Sequence, residues 1–291
     1  MSIQSVGVIG AGQMGLGIAH VFALAGYHVR LNDIAPEKAR EALTLIKASM
    51  NRQIKRGVVT EAERDVALAK IELVDDLPSV GNSDLIIEAV TESEKLKREV
   101  FETLTPHLKP TTILTSTTSS VSITRLAATT DRPDRFMGFH FMNPVPMMKL
   151  VELIRGLATS QTTIDEVRSV SDRLGKASVM AEDFPAFIVN RILFPMMNEA
   201  ANVLLEGVGT VESIDASLRL GANHPMGPLQ LADFIGLDIC LHIMNTLNEE
   251  LSDTKYRPSP LLVKYVEAGW LGRKTGRGFY DYSGETPTPT R

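Results

Sequence analysis

Over the first ~180 residues, short apolar runs alternate with longer stretches of helical spacing. Ile3 to Ile9 is a short run rich in β-branched residues and predicts a strand. Ile18 to Ala25 is apolar and stops at Gly26, a predicted helix end. His28 to Asn32 predicts a second strand, and Pro36 to about Arg56 a helix with proline in its first turn. Asp84 to Val90 (DLIIEAV) reads as a continuous apolar strand, the pattern of a strand covered on both faces. Glu92 to Leu104 predicts a helix, and Thr111 to Ser116 and Phe136 to Phe141 further strands. Such alternation predicts an α/β fold, a doubly wound and mostly parallel sheet with helices on both faces. After about Asp183 β-like runs nearly vanish. Ile188 to Leu205, Val211 to Leu220, Pro228 to Leu247 and Pro260 to Ala268 all carry helical spacing. The pattern therefore predicts two domains, 1–183 and an all-helical 184–291, with Pro185 marking the boundary. The tail Ser283 to Arg291 reads as a frayed polar end.

Between the first predicted strand and helix lies Gly10-Ala11-Gly12-Gln13-Met14-Gly15. A lone GxGxxG is a weak motif. Its place between a strand and a helix strengthens it. Gly10 permits a tight turn, Gly12 lets backbone approach a pyrophosphate, and Gly15 lets helix pack on strand. The helix N-terminus offers amides and a positive dipole end to phosphates. Asp33 closes the second strand, where a carboxylate accepts from adenosine ribose hydroxyls and repels a 2′-phosphate. Ile34 follows instead of arginine, which favours NAD over NADP. The first domain thus reads as a Rossmann-type NAD-binding domain; the rival reading is a structural glycine turn beside a surface aspartate.

A second constellation is FHFMNPVPMMKLVE, residues 139–152. His140 stands late in a predicted strand, where a parallel sheet presents its ligand face. Histidine is the usual proton acceptor for an alcohol oxidised near neutral pH. Glu152 stands between Val151 and Leu153, an expensive place for a carboxylate unless it is paired. A carboxylate beside His140 would fix its tautomer and stabilise its charged form. Alone, a strand histidine is more often structural, and the spacing does not show that the two residues meet.

Composition narrows the function classes. A net charge of −5, with 44% hydrophobic and 22% charged residues, describes an ordinary soluble globular chain. It argues against a nucleic-acid or anionic-membrane partner. The single cysteine, Cys240, excludes an intrachain disulfide and a cysteine-built zinc site, and reads as a buried apolar residue. No metal site is expected. No run is long enough to span a membrane and no targeting segment is visible, so a cytoplasmic location is expected.

The chain resembles the short-chain L-3-hydroxyacyl-CoA dehydrogenase family over nearly its whole length. The resemblance is carried by VGVIGAGQMGLGIA, DLIIEAVTE, TTSSVSIT, RFMGFHFMNPVPMMKLVELIRG, FIVNRILFPMMNEA, GANHPMGPLQLADFIGLD and LGRKTGRGFYDY. It implies that His140 is the general base and that Glu152 orients it. It implies that Ser119 hydrogen-bonds near the substrate oxygen and that Asn190 contacts substrate and the catalytic histidine. Glu92, Lys97, Asn143 and Lys274 match positions on the cofactor; an exposed charge pair is the rival reading for the first two, and local turn anchoring for the others. Ser49, Lys55 and Arg56 lie on the helix that meets the CoA phosphates in the family, and could equally form a solvated helix end. The sequence departs from the family where Thr117 replaces an asparagine, where Phe141-Met142 replaces a double aromatic, and where Phe184-Pro185-Ala186-Phe187 replaces SPGF.

The resemblance implies NAD-dependent interconversion of an L-3-hydroxyacyl-CoA and a 3-ketoacyl-CoA. A four-carbon substrate is expected, with a homodimer formed through the helical domain. Two other classes remain: a sugar-acid (gulonate-type) dehydrogenase, whose relatives read roughly HPxNPP before the glutamate where this chain has HFMNPVPMMK, and a non-catalytic NAD-binding or structural protein on the same fold.

Overall fold

A computed structural model describes residues 3–291. These fall into two compact units, one ending at Phe184 and the other Pro185–Arg291.

The first unit runs β1 (Ser5–Ile9), α1 (Gln13–Leu24), β2 (His28–Asn32), α2 (Pro36–Lys55), α3 (Glu61–Leu68), β3 (Ile71–Leu73), α4 (Leu77–Val80), β4 (Leu85–Glu88), α5 (Glu94–Leu104), β5 (Ile113–Ser116), α6 (Ile123–Ala127), β6 (Phe136–Phe141), β7 (Leu150–Arg155), α7 (Gln161–Arg173) and β8 (Ala177–Glu182). The strands form one eight-stranded sheet in the order β3-β2-β1-β4-β5-β6-β7-β8. All neighbours are parallel except β6 and β7. β4, β5 and β6 are buried at every position, as strands covered on both faces require. The doubly wound, mostly parallel architecture is as expected. The chain leaves β1 toward β2 on one side and returns to β4 on the other, so the C-terminal ends of β1, β2 and β4 surround a topological switch point.

The second unit contains α8 (Val189–Leu205), α9 (Val211–Ala216), α10 (Pro228–Ile235), α11 (Leu237–Leu251), α12 (Pro260–Glu267) and a small antiparallel pair, β9 (Tyr280–Asp281) and β10 (Thr288–Pro289). Its core draws Phe194, Met197, Leu229, Leu237, Met244 and Phe279 together. Two expectations are corrected here. The helix predicted over 228–247 is two helices, because Gly236 takes φ 115°, which no regular helix contains. The tail is not frayed throughout: β10 pairs with β9, and the Thr290 amide donates to the Phe279 carbonyl at 3.0 Å.

Ala186 takes φ 62° and is buried, at the position where the resembling family has glycine. A left-handed backbone costs an L-residue about 1–2 kcal/mol that glycine avoids, less the greater freedom glycine gains when unfolded. Ala186→Gly is expected to stabilise the chain by about 0.5–1 kcal/mol, read as a Tm rise of ~1–3 °C. A lowered Tm would show that the Ala186 methyl group contributes more than its backbone strain costs.

Candidate active site

The glycine loop has the shape its residues dictate. Gly10 takes φ 98°, and a Cβ there would stand 2.6 Å from the Ala89 carbonyl oxygen. A Cβ on Gly15 would fall 1.8 Å from the Gly10 carbonyl oxygen, so α1 can start this close to β1 only without a side chain. Gly12 differs: a Cβ there would meet nothing within 4 Å, so the loop leaves open space over the start of α1. The amides of Gln13, Met14 and Gly15 open this helix, where no intrahelical acceptor exists. Asp33 is tied to the loop, one oxygen accepting from the Ala11 amide at 2.8 Å and the other from the Ala35 amide at 3.0 Å. A cleft of about 550 Å³ runs along these residues, lined by Gly10, Gly12, Asp33, Leu77 and Val90 among others. Open space above free helix amides, a fixed carboxylate at the end of β2 and an apolar wall fit a dinucleotide. Lys38, which sequence reasoning did not single out, lines the same cleft.

Next in the sheet lies a buried ionic network. Lys97 is buried and holds Glu88 at 2.9 Å and Glu92 at 3.1 Å. The charge pair considered from sequence is present, but its Lys97 side is buried instead of exposed. Glu88 ends β4 and also accepts from the Val90 amide and the Ser116 hydroxyl. Glu92 accepts from the hydroxyls of Thr118 and Ser120 and the amides of Ser119 and Ser120. Burial pushes the Glu92 carboxyl up, but the Lys97 charge and these donors outweigh it and hold it down at about 2. Burial pulls Lys97 down, and its two carboxylates more than reverse this, raising it. Burial also pushes Glu88 upward, against its ammonium and two further donors; with those donors in place, the ionised carboxylate is the state consistent with the geometry. The segment carrying Ser119 is thus fastened to β4 and α5 through one carboxylate. Ser119 itself is half-buried.

His140 and Glu152 face each other across the antiparallel β6/β7 pair. Their side chains meet, His140 Nδ1 to Glu152 Oε2 at 2.7 Å. Glu152 is fully buried and His140 nearly so. The one antiparallel step in the sheet makes this possible: a short turn carries the chain from β6 back along it, and the register sets the two residues opposite. Thr117, where the family has asparagine, accepts from the Phe141 amide at 3.2 Å and ties the Ser119 segment to the histidine's strand.

The other predicted residues are more scattered. Asn143 is exposed in the turn after β6. Ser49 is half-buried on α2, and Lys55 and Arg56 are exposed at its end with no ion pair among the described residues. Asn190 opens α8 and Lys274 lies in the turn after α12, both in the second unit. Lys274 pairs with Asp238 of α11. Sequence reasoning missed Glu88, Ser116, Thr118 and Ser120. A carboxylate inside the apolar run DLIIEAV was the same sign that drew attention to Glu152.

Comparison with known proteins agrees with this geometry. Residues 5–184 match the family description "3-hydroxyacyl-CoA dehydrogenase, NAD binding domain" and residues 187–282 match "3-hydroxyacyl-CoA dehydrogenase, C-terminal domain". A 3-hydroxybutyryl-CoA dehydrogenase of Bradyrhizobium diazoefficiens is 59% identical over 99% of both chains. A probable 3-hydroxybutyryl-CoA dehydrogenase of Bacillus subtilis is 51% identical over 98% of this chain and all of its own. The crystal structure of an (S)-3-hydroxybutyryl-CoA dehydrogenase from Ralstonia eutropha superposes with a TM-score of 0.95 at 48% identity, covering 97% of this chain and 100% of its own. The glycine loop, the fixed aspartate and the dinucleotide cleft belong to an NAD-binding domain, and this chain belongs to the 3-hydroxyacyl-CoA dehydrogenase family.

Proposed function

We propose that this chain interconverts L-3-hydroxybutyryl-CoA and acetoacetyl-CoA with NAD, using His140 as acid and base and Glu152 to orient it. The observation that carries this reading is the buried 2.7 Å contact between the two side chains. With Nδ1 carrying its proton toward the carboxylate, Nε2 is the ring's basic nitrogen. His140 takes the proton of the 3-hydroxyl in oxidation and returns it in reduction, while Glu152 stabilises the positive ring. Ser119 and Asn190 hold the oxygen that changes charge. Bound NAD supplies the hydride acceptor.

Gly10 to Gly15 and Asp33 bind the dinucleotide, and Glu92 and Lys97 fix the loop beside it. Asn143 and Lys274 complete the cofactor contacts, and Ser49, Lys55 and Arg56 meet the CoA phosphates. The exposed apolar side chains of the second unit, Ile192, Val208, Leu220, Phe234 and Ile239 among them, support a homodimer formed through it. A cytoplasmic location suits a chain in which, among the described residues, no helix is long and apolar enough to cross a membrane.

The test is a set of kcat/KM values with NADH and NADPH for acetoacetyl-CoA and a ten-carbon 3-ketoacyl-CoA, beside L-gulonate oxidation with NAD. The reading expects the four-carbon substrate and NADH to lead. Preference for the ten-carbon substrate would overturn the substrate, equal use of NADPH would overturn the role of Asp33, and gulonate turnover alone would move the enzyme to the sugar-acid class.

A further inference from the structure

The turn between His140 and Glu152 has an unusual support. It contains Pro144 and Pro146, which donate no backbone hydrogen bond, so sheet-like pairing cannot hold it. One end closes on itself, with the Met147 and Met148 amides donating to the Pro144 carbonyl at 3.0 and 3.1 Å. Two further carbonyls of the turn are taken by a side chain from elsewhere: the Lys176 ammonium donates to Val145 O at 2.8 Å and to Met148 O at 2.7 Å. Lys176 precedes β8, is 8% exposed, and has no carboxylate partner among the described residues. Burial alone accounts for the lowering of its pKa. A buried cation without a counter-charge is costly, and a methionine or leucine would fill the same space without that cost. The charge is therefore explained by the two carbonyls it holds.

The same turn is in tight contact with α1. Val145 is its one fully buried residue, and a Cβ placed on Gly17 would stand 2.9 Å from the Val145 Cβ. Gly17 lies two residues beyond the GxGxxG motif, and the dinucleotide loop does not explain it. Asn143, Met147 and Met148 stay exposed on the turn while Val145 and the carbonyls are fixed.

We propose that Lys176 is a positioning residue which, with Gly17, clamps the 145–149 part of the turn so that Met147 and Met148 present a fixed surface to the acyl substrate. This rests on the acyl-CoA reading above for the identity of the substrate, but not for the clamp. The test compares Lys176→Met, which keeps length and removes charge, with Lys176→Arg, which keeps charge and donors. For Lys176→Met the acetoacetyl-CoA KM is expected to rise about tenfold while NADH Kd stays within about twofold, because the carbonyls released are those of Val145 and Met148 and not of Asn143, and a misplaced contact surface costs binding of its own ligand first. Trypsin cleavage after the exposed Lys149 should accelerate, and Lys176→Arg should move both readouts back toward wild type.

Wild-type KM with unchanged Lys149 cleavage in Lys176→Met would overturn the clamp. So would parallel losses in kcat, KM and NADH binding that track a lowered Tm, since these mark general support of the fold. If Lys176→Met does not fold, Gly17→Ala displaces the same turn through Val145. It should show the same rise in KM and the same faster cleavage, and a wild-type profile there would overturn the proposal. A wild type that does not turn over acetoacetyl-CoA would defeat the substrate reading, and Lys149 cleavage would still decide the clamp.

Discussion

A His140→Gln enzyme is expected to bind NADH as wild type does and to lose turnover of acetoacetyl-CoA by a factor on the order of 10²–10⁴. Glutamine fills similar space, and its amide can still donate to Glu152, but it neither accepts nor delivers a proton at neutral pH. The glycine loop and Asp33 stand at the ends of β1 and β2, with β4 and β5 between them and β6, so the substitution leaves them untouched. Fluorescence titration with NADH and initial rates on the same preparation separate the two effects. A rate within about threefold of wild type would place the proton-transfer group elsewhere, because that loss is too small for a positioned acid and base.

The second large effect is on stability. Lys97→Met removes the only cation that pairs with Glu88 and Glu92 among the described residues, and Glu88 is fully buried. Breaking a buried pair from one side leaves an uncompensated charge and costs about 3–5 kcal/mol. In the variant Glu88 escapes by taking up a proton, so its folded-state pKa rises above the unfolded one, while Glu92 keeps its hydroxyl and amide donors. Stability from such groups is present at low pH and is lost as pH rises through the folded pKa. Lys97→Met should therefore be further below wild type at pH ~8 than at pH ~5 in urea unfolding. A loss under about 1 kcal/mol at both pH values would mean that the network is solvated and carries little of the fold. The Ser119 segment hangs on Glu92, so turnover should fall even where the variant stays folded.

Much of this arrangement was legible in the sequence, and the gaps have physical causes. The β1–α1–β2 unit was readable because the steric demands at Gly10 and Gly15 leave glycine as the sole fit, and because Asp33 closes a strand of regular pattern. β6 was readable to the residue, Phe136 to Phe141, since a strand buried on both faces is apolar almost throughout, His140 being the exception. The meeting of His140 and Glu152 was not readable from spacing, because it depends on the single antiparallel step in a parallel sheet. α3 went unread although Thr60 and Glu63 form a capping box, since the helix is only eight residues long and half of them are charged. Glu88 was absorbed into an apolar run, and only its three-dimensional neighbours reveal why a carboxylate is tolerated there. The split at Gly236 was hidden because apolar spacing continues across it.

The account's central claim is that the buried Glu152 charge makes His140 an effective acid and base. The most direct test is kcat for acetoacetyl-CoA reduction by Glu152→Gln beside wild type, with NADH Kd and Tm measured on the same samples. Glutamine keeps the size and a hydrogen-bond acceptor but removes the charge that stabilises the protonated ring. The account predicts a kcat lowered by about 10² or more with NADH affinity unchanged. A near-normal kcat in a folded Glu152→Gln enzyme would contradict it and leave the glutamate as a packing residue.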